Sequence, residues 1–237
     1  MGFMDDVKED QILQIQVVIV TFFLVVFPAY FFMKAAATDD VAGMGGVGTY
    51  TVTGEFSYLD FASGEEFVAD GTPLTIDLNT DSVSEVSGKN IVGVLVTMTY
   101  AEDETENSLD PFGAGCATGG FSQDTISGAA THMNYSNSSD GQNQGGSGSH
   151  DVTTAWYNSS VIGDKVEGLS ESQIIGELVK EDTGMGDYSI EISVSAEDGS
   201  TATCNREDNG ETVSYTVQLI VLDYSITPYV DIDDIDV

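Results

Sequence analysis

Positive charge is what this chain has least of: six Lys plus Arg stand against 40 Asp plus Glu, a formal net charge of −34 over 237 residues. Nucleic-acid binding draws its affinity from cations on phosphate, and anionic lipid headgroups are held by basic clusters. No nucleic-acid partner is therefore expected, and the charge argues against a polybasic lipid-binding surface. Histidine is scarce too, with two residues, and the sequence contains no H-E-x-x-H helix, G-x-S-x-G elbow or phosphate-binding glycine loop. The expectation is a protein that is not an enzyme. Any acidic domain still offers carboxylate pairs, so a secreted or tethered hydrolase or metal-binding enzyme stays as a third reading. Cysteine is down to Cys116 and Cys204, 88 residues apart. An even count in a chain of secreted style points to a disulfide, which would contribute about 4 to 5 kcal/mol by closing that loop. Two buried free thiols are the alternative.

What is present begins with a membrane-length apolar run. Residues 12–33 hold 22 positions without a charge, a helix of about 33 Å and close to the thickness of a hydrocarbon core. Tyr30 and Lys34 suit its far end, where a ring and a snorkelling amine are favourable. Ala35-Ala36-Ala37 would suit a signal-peptidase site. The leader carries Asp5, Asp6, Glu9 and Asp10 against Lys8, however, and the run exceeds the usual apolar length of a signal peptide. The reading is a retained single-pass anchor over 12–34, with a cytoplasmic tail at 1–11 and a flexible glycine-rich linker at 35–48. An extracellular domain follows at 49–230 and an acidic tail at 231–237. Lys8 and Lys34 nearly balance, so orientation rests on the disulfide and on three glycosylation sequons at Asn134, Asn137 and Asn158.

The charged fraction, 19%, lies below the roughly 25% of ordinary soluble domains, so the charge imbalance owes much to missing bases. With 41% apolar residues, the chain has enough to bury a core. The composition resembles that of surface proteins from salt-adapted microbes, archaea in particular, where salt screens such self-repulsion.

After the linker the period is two. Tyr50 and Val52 alternate with threonines, and Leu74, Ile76 and Leu78 with polar residues. In residues 89–100, Val92, Val94, Val96, Met98 and Tyr100 share a face. Tyr188, Ile190, Ile192, Val194 and Ala196 alternate with Ser189, Glu191, Ser193 and Ser195. Asp198-Gly199 predicts a hairpin whose return strand carries Cys204, and Asn209-Gly210 a second turn into Val213, Tyr215, Val217, Leu219 and Val221, the whole forming a meander. Around Leu169, Ile174, Ile175 and Leu178 the spacing nears helical, with Ser170 and Gln173 as a capping box; a helix and a strand both fit. The fold expected is mainly β, an antiparallel β-sandwich preceded by one transmembrane α-helix. The segment EDTGMGDYSI at 181–190 resembles the tyrosine corner of immunoglobulin-like domains, with two extra positions. That resemblance implies that Tyr188 hydrogen-bonds back across a corner. A jelly roll is the second architecture.

Residues 134–149 (NYSNSSDGQNQGGSGS) are low in complexity and read as an exposed insertion loop. His132 and His150 bracket it, with Asp140 and Asp151 near; this is no known ligand spacing, and two solvated histidines are expected. Cys116, His132 and Met133 are wrongly spaced for copper. Calcium candidates are Asp77, Asn79 and Asp81, which start like an EF-hand loop, although Ser82 stands where that loop needs glycine and Gly88 where it needs glutamate. Acids at 102–106 add carboxylates at a strand end. No cofactor is expected beyond such a Ca2+.

The function expected is adhesion, envelope structure or an accessory-subunit role at the cell surface, with protein partners or a homo-oligomer. The alternative is a pilin-type filament subunit whose N-terminal helix packs in the fibre core. Lys8-Glu9-Asp10 before Gln11 lacks the small residue that processing would need.

Overall fold

The computed structural model describes residues 20, 22–27, 30, 46–101, 105–108, 122–143, 146–179, 182–200 and 204–230. Most of the apolar run, the linker before Gly46, the acids at 102–104, Cys116 and the tail at 231–237 lie outside them. Within the run, Phe22–Val26 form a π-helical turn, and Val20, Phe27 and Tyr30 have α-helical backbone. Among the described residues no helix is long and apolar enough to cross a membrane.

The rest is mainly β. In chain order the strands are β1 (Val47–Ala69), β2 (Leu74–Asn79), β3 (Ile91–Ala101), β4 (Thr105–Ser108), β5 (Thr125–His132), β6 (Tyr135–Gln142), β7 (Ser147–Ala155), β8 (Gly163–Ser170), β9 (Asp187–Ser195), β10 (Cys204–Glu207) and β11 (Gly210–Pro228). The helix α1 (Glu171–Leu178) follows β8. A five-stranded sheet, β7-β3-β11-β1-β8, faces a four-stranded one, β2-β9-β5-β6, and β10 pairs with β4 in a separate ribbon. Every strand pairing is antiparallel.

Period-two burial builds the core between the sheets. Tyr188, Ile190, Ile192 and Val194 of β9 are 3% exposed or less. They meet Val94, Val96, Met98 and Tyr100 of β3 and Val213, Val217, Leu219 and Val221 of β11. Two bulges redirect side chains, since one extra residue exchanges the faces of a strand. In β3 the register skips between Gly93 and Ile91. Val92, expected on the face of Val94, therefore points into a second cluster on the other side of the sheet. In β1 the skip lies between Asp60 and Ala62. Tyr50 and Val52 belong to the outer cluster, whereas Ala62 and Val68, which an unbroken alternation would put on the same face, join the inner one.

The outer cluster is covered by α1. Its Ile174 and Leu178, four residues apart, are fully buried, worth about 1.5 to 3 kcal/mol each. The capping box forms: Gln173 N–H donates to Ser170 Oγ at 3.3 Å, and Ser170 N–H to Gln173 Oε1 at 2.8 Å. Ser170→Ala should lower stability by about 1 kcal/mol, read from the urea midpoint.

Two expectations are overturned. The strands do not form a meander: β9 pairs with β2 and β5, and β10 pairs with β4 across the sequence rather than returning along β9. The stretch 134–149 is not a loop but holds β6 and the start of β7. These strands lie on the same open side of the two sheets, and short polar side chains of β6 satisfy the unpaired carbonyls of β7. Asn137 Nδ2 donates to Thr153 O and Ser139 Oγ to Asp151 O, both at 2.7 Å.

Candidate functional site

The sandwich has two chemically distinct ends. At one, His132 closes β5 and is 1% exposed, not solvated as expected. Its ring stacks on Tyr188 at 3.9 Å and lies 4.9 Å from Trp156. Nδ1 lies 2.8 Å from Asp187 O and Nε2 against Thr183 O, so both nitrogens are occupied and neither can bind a metal. Tyr188 Oη donates to Gly184 O at 2.8 Å. Burial pushes this phenol well above the usual tyrosine range.

His150 stands apart from His132, on β7, half-buried. Its Nδ1 is 3.3 Å from Tyr100 Oη. Burial lowers its pKa, against opposing contributions from a Ser139 backbone hydrogen bond and the charges of Asp140 and Asp151. A folded-state pKa below the unfolded value means that the unfolded chain binds more protons in that window. The stability from neutral His150 is thus present above about pH 6.5 and lost as pH falls through the depressed pKa. His150→Gln should remove this part of the loss, read as the difference between wild-type and variant urea midpoints from pH 7.5 to 5.5.

The calcium candidates are engaged in cross-strand pairs. Asp77 and Asn79 lie on β2 opposite Ser189 and Asp187 of β9. Ser189 Oγ donates to Asp77 Oδ1 at 3.0 Å, and Asn79 Nδ2 to Asp187 Oδ1 at 2.6 Å. Asn79 Oδ1 also accepts from Asp81 N–H, capping a 3-10 turn. Of the sequons, Asn134 is exposed at the β5–β6 turn and Asn137 on β6, while Asn158 Oδ1 caps the turn at Ser159–Val161. Cys204 is buried and is not a free thiol; Cys116, the chain's other cysteine, lies outside the described residues.

At the opposite end, five chain segments converge through side-chain and backbone hydrogen bonds. Asp70 N–H donates to Asn209 O at 2.8 Å, and Ala196 N–H to Asp70 Oδ1 at 3.1 Å. Glu197 N–H donates to Asp124 Oδ1 at 2.8 Å. Asn143, 2% exposed, is a double clamp: its Oδ1 accepts from Asp124 N–H at 3.1 Å and its Nδ2 donates to Glu211 Oε1 at 2.6 Å. Asp208 Oδ1 accepts from Gly210 N–H at 3.0 Å. The result is a carboxylate trio, Asp124, Asp208 and Glu211, each with one oxygen within 4.8 Å of the others. Asp124 and Glu211 are fully buried. Burial and the Glu211 charge raise the pKa of neighbouring Tyr100. Asp208 and Glu211 share the turn around Asn209-Gly210, but Asp124 comes from a distant segment, so the trio carries no spacing signal.

A third feature lies on the outer face of the five-stranded sheet. Phe56 and Tyr58 of β1 are 42% and 51% exposed. Phe56 lies 5.6 Å from Tyr157, centroid to centroid, and the three aromatics rim a shallow groove floored by Leu95, Ala155 and Ile220. No family model matches this chain, and no curated protein shows significant similarity to it.

Proposed function

We propose that this is a non-enzymatic surface protein: an extracellular β-sandwich held to the cell membrane by one helix over residues 12–34, with an adhesive, envelope-structural or accessory-subunit role. The observation that carries the reading is the uncharged 22-residue run, placed a short linker ahead of the first strand at Val47.

The exposed Phe56 and Tyr58, beside the half-buried Tyr157, supply an apolar contact surface of the kind that marks protein interaction. A Cys116–Cys204 bridge would tie the β10 region to the segment before β5, in keeping with an oxidising compartment. The acid-coated surface suits a saline medium. Within the sandwich we favour an immunoglobulin-like architecture over a jelly roll, because the Tyr188 hydroxyl bonds back to Gly184 as a tyrosine corner requires.

Alkaline carbonate extraction of membranes from cells making the full chain tests the tether. The protein should stay in the pellet, and Phe23→Arg with Leu24→Arg should shift it to the supernatant, since each arginine costs about 2.5 to 3.5 kcal/mol at a helix centre. Release of the wild-type chain would sink the reading.

A further inference from the structure

We propose that Asp124, Asp208 and Glu211 bind one divalent cation of calcium type, which pins the converging segments at that end of the sandwich. The proposal is independent of where the domain works. Calcium-to-oxygen distances of 2.3 to 2.6 Å put oxygens on opposite sides of one ion about 4.6 to 5.2 Å apart. Three oxygens within 4.8 Å of one another therefore fit a single coordination sphere without moving a strand.

A second observation points to a ligand. Asp124 is fully buried; its Oδ1 accepts from Glu197 N–H, while its Oδ2, enclosed by protein, has no hydrogen-bond partner. An ionised oxygen in that position is costly unless a cation meets it. Each carboxylate also has one oxygen fixed by a protein N–H, from Glu197, Gly210 and Asn143 respectively. The trio is held in place by the fold rather than assembled by chance on the surface.

Donor type selects the ion. All three donors are carboxylate oxygens, with no thiolate or imidazole in the group, which favours a hard ion over zinc or copper. Calcium accepts the irregular geometry of converging loops better than magnesium, which demands a near-ideal octahedron and keeps its waters. Asp208, partly exposed, marks the side open to entry.

The test is thermal unfolding of the full chain in detergent, in EDTA and then in CaCl2, with NaCl at physiological strength or above to suppress diffuse binding to the acidic surface. Calcium at about 100 times its Kd should raise the midpoint by roughly 5 to 10 °C. Asp124→Asn keeps the shape and the bond from Glu197 N–H. It should abolish that rise and leave the EDTA midpoint unchanged or higher. Asp81→Asn, at the other acidic stretch, should keep the rise. No calcium effect on the wild type, or an equal effect on Asp124→Asn, would overturn the proposal. Should Asp124→Asn fail to fold, Tb3+ binding to the wild-type chain decides. Tyrosine-sensitised luminescence that saturates at one equivalent and is displaced by Ca2+ supports the site; unsaturable or absent signal refutes it.

Discussion

Replacing Trp156 by alanine should destabilise the domain by about 3 to 5 kcal/mol, a third or more of the stability of a typical domain. This lone tryptophan directly follows β7 and is 4% exposed. It packs against His132, Tyr135 and Tyr188 of the facing sheet. Its Nε1 donates to Ile91 O at 2.8 Å and its backbone N–H to Val92 O at 3.0 Å, next to the bulge that turns Val92 outward. Truncation empties the space between the sheets and leaves the Ile91 carbonyl without its donor. Trp156→Phe separates the two effects: it keeps most of the volume and should cost about 1 to 3 kcal/mol for the unsatisfied carbonyl. Urea unfolding followed by far-UV circular dichroism reads both. A loss under about 1 kcal/mol for the alanine variant would mean that the ring is not wedged between the sheets.

The second large effect is expected at Gly210, where the β1–β11 ladder begins opposite Ala69. Its φ is +137°, and a Cβ there would lie 2.1 Å from Val68 O and 2.7 Å from Ala69 Cα. Both contacts are backbone atoms of the longest strand, which cannot give way as a side chain would. Gly210→Ala should cost at least about 3 kcal/mol from strain and overlap together. It should also weaken cation binding, because Asp208 and Glu211 flank the displaced residue and Gly210 N–H fixes the Asp208 carboxylate. Gly88→Ala is the control, since its φ is +73° but its Cβ would meet open space; about 1 to 2 kcal/mol is expected. Equal urea midpoints for the two variants would contradict the tight approach of β1 to β11.

Where local chemistry decides structure, the sequence was readable. The alternation of Tyr188 to Val194 against serine and glutamate reports one wet and one dry face. The capping box at Ser170 and Gln173 with Ile174 and Leu178 marks α1. Tyr188 bonds back to Gly184 as the corner resemblance implied. Long-range pairing decided the rest. Asp198-Gly199 has hairpin chemistry, yet β9 already has β2 and β5 on either side, so the chain leaves the sheet and β10 finds β4. Residues 135–142 lack the apolar alternation of a strand because β6 lies at a sheet edge, mostly exposed, and its Asn and Ser side chains face the carbonyls of β7. The bulges that reverse Val92 and separate Tyr50 from Val68 leave no mark in composition.

The acidic sites follow the same division. Asp77, Asn79 and Asp81 sit close in sequence, but a strand spends Asp77 and Asn79 on partners across the ladder. Asp124 is far in sequence from the turn that carries Asp208 and Glu211, and it meets them only because β5 and β11 begin at the same end of the sandwich, with Asn143 bridging Asp124 and Glu211. Local spacing marks acids that are near neighbours in sequence, whereas the carboxylate cluster among the described residues joins a turn to a distant strand end.

Protease added to intact cells tests the central proposal most directly. Cleavage ahead of Val47 should release a folded fragment carrying the sandwich into the medium while the membrane stays sealed. Protection of that fragment until the membrane is breached would place the domain on the inner side and contradict the account.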